Sequence, residues 1–279
     1  MLTLVQIELY KIFKKWRTYI GFIAIAILVV VIQTAISYEG SRALNSATRG
    51  LQGSFVFVGN LLNGYFVSNI ILNSLYIHIP FLITLVAGDL MAGEASAGTY
   101  RMLFTRPVTR FGIVTGKFIA GVIYTAILII WLAILSLGLG TILFGSGELI
   151  SIQSNAIVVF ASNDVLWRFL LAYSFAIVSM SVVTVMAFFF SSLVENSIGP
   201  IITTMAIIII FIIISHIDVS VFENIKPYLF TNYMDGWKLF FDKPLDYSSV
   251  WDYLLVLGIH IFGLYGLTLF IFRRKDILT

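Results

Sequence analysis

Long apolar runs recur along this chain and constrain its fold more than any other feature. The first is Thr18 to Ser37, which contains no charged residue. Further runs lie at 65–91, 112–144, 167–190, 198–215 and 250–272. A helix needs about 20 mainly apolar residues to cross the hydrocarbon core of a bilayer, and only 11% of the 279 residues are charged. The sequence therefore predicts an all-α polytopic membrane protein with six transmembrane helices in a single domain, residues 1–279.

The segments outside these runs are predicted to lie at the membrane surface. In residues 1–17, the apolar side chains fall near one face of a helix and the basic side chains fall largely elsewhere. This pattern is typical of an amphipathic interfacial helix. The run that follows is too long for a signal-peptide core, so this segment is expected to stay on the protein. Residues 38–63 and 145–164 are predicted to be connections, with Ile157 to Phe160 apolar enough to lie against the membrane. Residues 216–249 are predicted to form short interfacial helices.

The positive charges predict an orientation. With six spans, both termini and the loops at 92–111 and 191–197 lie on one side. That side carries eleven of the seventeen Lys and Arg residues: Lys11, Lys14, Lys15, Arg17, Arg101, Arg106, Arg110, Lys117, Arg273, Arg274 and Lys275. Because cytoplasmic loops retain Lys and Arg, both termini are predicted to be cytoplasmic, in the cell membrane.

The sequence contains no recognisable catalytic or metal-binding motif. It has no cysteine and only three histidines, and these lack metal-ligand spacing. No nucleophile motif is present, and the nearest approach to a P-loop, Gly112 to Phe118, is one residue short and ends in Phe. We therefore expect no catalytic residue, no metal and no cofactor on this chain, and no nucleic-acid partner.

Polar residues inside the apolar runs are candidates for a translocation path, because such residues are costly in lipid. The candidates are Asn69, Asn73, His78 and Ser181; hydrogen bonding between helices is the favoured alternative.

Three further features have expected positions. Asp89 is expected at the cytoplasmic boundary, paired with Arg101 or Arg106. The aromatic residues of 228–241 predict an interfacial belt or, as a second interpretation, an external gate. Gly112, Gly116 and Ala120 would permit close helix packing.

The most informative segment is 93–117, GEASAGTYRMLFTRPVTRFGIVTGK. An acid, a Gly-Thr pair, a basic and apolar helical stretch and a Pro-Val-Thr-Arg turn lead into a new span. This order strongly resembles the type-2 ATP-binding cassette (ABC) permease family, and the closest similarity is to bacitracin-exporter-like permeases. The resemblance extends over the whole chain through the basic N-terminal helix, the six spans and the short 191–197 loop.

The resemblance implies which residues couple the chain to an ATPase. Residues 93–106 would be the coupling helix, which sits in a cleft of a cytoplasmic ATPase, with Glu94 pairing with a basic ATPase residue and Gly98 permitting close approach. The coupling residues implied are Glu94, Gly98, Thr99, Tyr100, Arg101, Leu103, Phe104, Arg106 and, in the 191–197 loop, Glu195. The N-terminal helix would be the family's elbow helix, through Glu8, Lys11, Lys14 and Arg17. A basic membrane-surface helix without a partner is the alternative.

The implied complex contains two ABC ATPase subunits, which carry ATP and Mg, and a second permease copy or homologue, all in contact with membrane lipid. It would export a substrate by alternating access. One alternative keeps this fold in an ATP-driven mechanical or maturation complex without small cargo. Another is a secondary transporter or channel, although the scarcity of mid-span charges counts against it; a membrane-embedded enzyme is the weakest.

Overall fold

The computed structural model describes residues 1–48, 62–98, 108–152, 157–217 and 219–275. It is mostly helical, and five helices are long and apolar enough to cross a membrane. They are Trp16–Gly40, Arg110–Phe144, Ser162–Leu193, Ile198–Ser215 and Tyr247–Arg274. The expectation of a mainly helical, membrane-embedded protein is thereby confirmed.

The helices are numbered in chain order. They are α1 (Leu2–Lys14), α2 (Trp16–Thr48), α3 (Gly64–Tyr76), α4 (Ile79–Ala87), α5 (Ala92–Ser96), α6 (Arg110–Ala133), α7 (Gly140–Phe144), α8 (Ser162–Leu193), α9 (Ile198–His216), α10 (Ser220–Glu223), α11 (Thr231–Met234) and α12 (Tyr247–Arg274). A π-helical stretch, Ile134–Leu139, joins α6 to α7, and 3₁₀ turns cover Lys226–Tyr228 and Asp235–Phe241. Two strands, β1 (Leu149–Ile152) and β2 (Ile157–Phe160), form an antiparallel hairpin.

The second apolar run, predicted as one tilted or kinked helix over 65–91, is two helices. The axes of α3 and α4 meet at 56°. Pro80 lies in the first turn of α4, and its ring has no N–H to donate to the carbonyl of Tyr76, four residues earlier. The helix therefore breaks at residues 77–78.

Two predicted connections contain regular structure instead. α2 continues to Thr48, beyond the predicted end of the first span, and Glu39 and Arg42 pair on its surface at 3.2 Å with the (i, i+3) spacing that supports a helix. In the 145–164 connection, Leu149 pairs with Phe160 at the base of the hairpin. Both side chains are buried, so β1 and β2 lie against the protein, and the chain is not purely α-helical.

The helix α8 is the centre of the bundle. It packs against α4, α6, α9 and α12, and 72% of its most apolar window is buried, against 17% for α12. α8 therefore supplies most of the core, while α2, α9 and α12 expose apolar side chains outward.

The bundle has two distinct ends. The "charged end" contains α1, α5, the start of α6 and the C-terminal ends of α8 and α12. The "aromatic end" contains the hairpin, the start of α8 and residues 219–246. α8 and α12 extend further than α9 at the aromatic end, because α9 has only 19 residues, about 28 Å at 1.5 Å per residue.

Residues 229–241, named the "aromatic segment", occupy the space beyond the end of α9. Phe230, Trp237, Phe240 and Phe241 are all buried in the main core, whereas Tyr228, just before the segment, is 77% exposed. Most of these rings thus pack inside the protein, whereas the interfacial belt predicted from composition would face lipid. Its aromatic rings complete the helix packing where α9 ends.

Candidate functional site

Four charged side chains from three helices meet at the charged end. They form a "charge cluster" of Glu8 and Lys11 from α1, Glu94 from α5 and Lys117 from α6. Lys117 Nζ lies 2.7 Å from Glu8 Oε2 and 2.8 Å from Glu94 Oε1, and Lys11 Nζ lies 2.8 Å from Glu8 Oε1 and 2.7 Å from Glu94 Oε1. Each acid contacts both lysines, so the charges alternate around a closed ring.

Three of the four members are shielded from solvent, and the Lys11 side chain is 39% exposed. Lys117 is 1% exposed, and Glu8 and Glu94 are each 8% exposed. Buried ions are tolerated only when they are paired with good geometry, and here two carboxylates match two ammonium groups. The cluster therefore joins α1, α5 and α6. Removal of any one of its four side chains would leave a charge uncompensated.

Local sequence places these groups together. Glu8 and Lys11 are one turn apart on the face of α1 that also buries Val5 and Ile12. A Cβ atom added to Gly116 would lie 3.3 Å from the Cβ of Leu4, so the glycines at the start of α6 let α1 lie close enough for Glu8 to reach Lys117. The predicted close-packing surface at Gly112 and Gly116 is thus occupied by α1.

The charges shift the proton affinities of two members. Burial alone would raise the pKa of Glu94, but Lys117 and Lys11 outweigh it and hold that pKa below its usual value. Burial would likewise lower the pKa of Lys11, yet its hydrogen bonds to Glu8 and Glu94 raise it instead. Each group is therefore more firmly ionised because of its neighbours.

A second ionic group lies beside the first. Asp89 is buried at the end of the α4 segment, and its Oδ2 and Oδ1 contact Lys15 Nζ at 2.6 Å and Arg17 Nη1 at 2.9 Å. The expected partners Arg101 and Arg106 lie outside the described residues. The partners observed come from the junction of α1 and α2, because Lys15 interrupts the predicted 1–17 helix with an extended conformation and its side chain pairs with Asp89.

Ser191 is a polar residue at the charged end that sequence reasoning missed. Its Oγ accepts hydrogen bonds from the backbone N–H groups of Met91 at 3.0 Å and Ala92 at 2.8 Å, and it donates to the carbonyl of Gly88 at 2.7 Å. It fixes the α4–α5 turn to the end of α8. One serine at the end of an apolar run gives no sequence signal of this role.

The other coupling and elbow residues divide into described and undescribed positions. Gly98 has a φ of +65° and is exposed, a left-handed conformation that suits glycine. Glu195 is exposed between α8 and α9, and Lys14 is exposed on α1. The remaining positions lie outside the described residues: Thr99, Tyr100, Arg101, Leu103, Phe104 and Arg106.

The four path candidates lie on α3, at the α3–α4 break and on α8. Asn73 lines a cavity of about 110 Å³ near the α3–α4 break. The Ser181 hydroxyl donates to the carbonyl of Ile177 in its own helix, and His78 Nδ1 lies 2.8 Å from the carbonyl of Ser74. Asn69 is half-buried in α3. Ser181 and His78 therefore make local helical contacts.

The described residues contain no candidate metal site. Within 1–48, 62–98, 108–152, 157–217 and 219–275, no three His, Cys, Asp or Glu side chains are grouped in a way that would hold a metal ion. The acids of the charge cluster are each neutralised by lysines.

The chain is similar to a protein-family model and to a bacterial protein. A family model described as "Protein of unknown function (DUF2705)" matches residues 26–278, a range that includes Glu94 and Lys117 but not Glu8 and Lys11. The chain is also 27% identical over 203 residues to "Uncharacterized protein YhcI" of Bacillus subtilis (strain 168), covering 69% of this chain and 63% of that protein. The chain thus matches less than two thirds of the length of this relative.

Proposed function

This chain belongs to the DUF2705 family, and we propose that it is the membrane-spanning permease subunit of an ABC transporter. Two separate ATPase subunits would bind ATP and Mg and hydrolyse ATP. The chain would pair with a second copy or a homologous permease in the cytoplasmic membrane. Counting α3 and α4 as one span gives six crossings, with both termini cytoplasmic and lipid around the bundle.

The charge cluster is the observation that carries this proposal. Glu94 lies at the start of the 93–106 segment, and its carboxylate joins α5 to both α1 and α6. Ser191 holds the same turn against α8. A force applied to the segment after Glu94 would thus reach α1, α6 and α8 at once. A coupling element between an ATPase and the spans requires such contacts.

The placement of charge supports a cytoplasmic location for this end. Lys11, Lys15, Arg17 and Lys117 all lie there, and the tail residue Lys275 donates to the carbonyl of Ser192 at 3.0 Å. Membrane proteins retain Lys and Arg on the cytoplasmic side. An ATPase that uses cytoplasmic ATP would therefore meet α5 and the exposed Glu195 loop on the same surface.

In the proposed cycle, closure of the two ATPases moves the paired 93–106 segments together. The charge cluster transmits this movement to α1 and α6, and the helices tilt to open a path between the two permeases. The cargo would be exported and amphipathic. An ATP-driven maturation complex uses the same coupling without small cargo, and an accessory subunit that co-purifies with the chain would favour that version.

The distribution of buried charge disfavours a secondary transporter. Among the described residues, the buried charged side chains are Glu8, Asp89, Glu94, Lys117 and Arg168. The first four lie at the charged end, and Arg168 lies near the start of α8. Ion-coupled carriers place ionisable groups near the bilayer midplane, so this arrangement fits an external motor better.

The first test is purification of the tagged full-length chain from its native membrane in mild detergent. We expect a stoichiometric subunit with Walker motifs, identified by mass spectrometry, and ATPase activity in the eluate. A chain that purifies without such a subunit and without ATPase activity would refute the proposal.

The second test separates coupling from assembly. Glu94→Gln removes the charge that joins α5 to Lys11 and Lys117, so we expect substrate-stimulated ATPase turnover to fall roughly tenfold or more while the complex still assembles. Glu39→Gln is the matched control, because Glu39 is an exposed acid paired only with its helical neighbour Arg42 among the contacts described. Equal turnover in the two variants would contradict the role given to Glu94.

A further inference from the structure

The break between α3 and α4 creates a cavity at the side of the bundle. Its volume is about 110 Å³, and its lining includes Ile77, an exposed residue between the two helices. The 56° change of direction moves the two helices apart, and α11 with the following 3₁₀ turn closes the opposite wall. The cavity thus lies where the span formed by α3 and α4 is broken, next to α9 and the aromatic segment.

The walls of the cavity have two chemically different parts. Ile77, Pro80, Ile212 and Met234 form an apolar part. Asp235 and Lys238 form a charged part, with Lys238 Nζ 2.7 Å from Asp235 Oδ2 and both side chains about half exposed. A ligand that fills this space must therefore present polar and apolar groups at different positions.

The position of the cavity along the bundle indicates where a ligand would enter. Ile212 is fourteen residues from the start of α9 at Ile198, which corresponds to about 21 Å of helix. A hydrocarbon core is about 30 Å thick, so the apolar wall lies in the leaflet nearer the aromatic end. Asp235 and Lys238 belong to the segment beyond α9, close to the level of lipid headgroups.

We propose that this cavity binds the headgroup of a membrane lipid that carries both an ammonium and a phosphate, of the phosphatidylethanolamine type. The ligand ammonium pairs with Asp235, and its phosphate pairs with Lys238. Both protein charges stay compensated when their mutual contact opens, whereas a lipid with a negative charge alone leaves the Asp235 carboxylate next to a like charge.

The size of the cavity agrees with this ligand. A volume of roughly 10–15 Å³ admits one water, and this cavity offers about 110 Å³. It therefore has room for a group of several heavy atoms, such as a phosphate joined to a short linker that carries an ammonium. The acyl chains would leave past Ile77 and Phe81, which are both exposed on the surface of the bundle.

The test measures lipid retention by the purified full-length chain. Native mass spectrometry, with dioleoyl phosphatidylethanolamine or dioleoyl phosphatidylglycerol added at matched concentrations, reports the bound fraction of each. We expect roughly tenfold tighter binding of the ethanolamine lipid, and a three- to tenfold loss with Lys238→Gln. The matched control is Arg42→Gln, which breaks an exposed ion pair with the same (i, i+3) spacing whose residues do not line the cavity.

A second variant tests the cavity without changing its charge. Ile77→Trp adds bulk at an exposed position, and we expect it to reduce binding of the ethanolamine lipid several-fold. Equal retention of the two lipids, or no effect of either Lys238→Gln or Ile77→Trp, would overturn the assignment. Equally tight binding of glycerophosphoethanolamine, which has no acyl chains, would overturn the lipid as the ligand. If no ATPase subunit purifies with the chain, the lipid result still stands, because lipid binding is measured without ATP.

Discussion

The two ends of the bundle hold short, non-spanning segments in different ways. At the charged end, α1 and α5 are joined to α6 by four alternating charges. At the aromatic end, the aromatic segment is held mainly by rings, with Trp237 centred 5.9 Å from Tyr76 and 6.2 Å from Phe241. Both arrangements bury their central residues, Lys117 and Trp237, to 1% exposure.

The difference lies in how directional the contacts are. A buried ion needs its partner at a fixed position, and losing one partner leaves a charge that the interior disfavours. Apolar rings contribute through buried area, which tolerates small rearrangements. The charged end is therefore suited to transmit a displacement, while the aromatic end is suited to fix the packing beyond α9.

The largest expected effect comes from breaking the charge cluster. Lys117→Met leaves two buried carboxylates with Lys11 as the remaining lysine of the cluster, so we expect a loss of about 3–5 kcal/mol in the free energy of unfolding. Thermal unfolding in detergent would measure it. Lys14→Met, the same change at an exposed position of α1, should cost less than about 0.5 kcal/mol. A similar cost for both would mean that the ring of charges does not hold α1 to α6.

A smaller effect is expected at the aromatic end. Among the described residues, the Trp237 Nε1 atom has no hydrogen-bond partner, so Trp237→Phe loses only packing, about 1–2 kcal/mol. Trp251→Phe is the control, because Trp251 is 70% exposed on α12. Unfolding monitored by thermal shift compares them, and a loss above about 3 kcal/mol for Trp237→Phe would show that the indole nitrogen contributes a polar contact.

The smallest effect, and the one that best separates the ends, is the response to acid. Because the folded-state pKa of Glu94 is depressed below 4.5, its contribution to stability is present above pH 4.5 and is lost as the pH falls through the folded pKa. We expect the stability difference between the wild type and Glu94→Gln to shrink below about pH 4.5. The stability difference between the wild type and Trp237→Phe should stay constant over the same range. A parallel decline of both differences would show that the response to acid is not specific to the charged end.

The sequence predicted the helices better than their ends. Every apolar run that was identified contains helix, because length and composition suffice to satisfy the backbone in lipid. The break at residues 77–78 was only partly foreseen: Pro80 suggested a kink, but the angle depends on how α9 and α11 pack beside it. The β1–β2 hairpin was missed, since short apolar runs do not distinguish a strand from a surface helix.

The candidate site was predicted in outline only. The sequence singled out Glu8, Lys11 and Glu94, but it assigned Glu94 to a partner on another subunit. Its partners in the fold, Lys11 and Lys117, are 83 and 23 residues away along the chain. Ser191 was not found at all, because its three hydrogen bonds join α8 to a turn about one hundred residues earlier.

By itself, the sequence determined that this protein is built from apolar helices in a membrane, because no other structure satisfies such long uncharged runs in lipid. It also placed most of the positive charge at one end. Only the tertiary structure decided that four of the charged groups form a closed ring and that the rings of the aromatic segment pack inside the protein instead of facing lipid. Local pattern fixes which backbone forms a helix, whereas pairing between distant side chains depends on which helix faces come together.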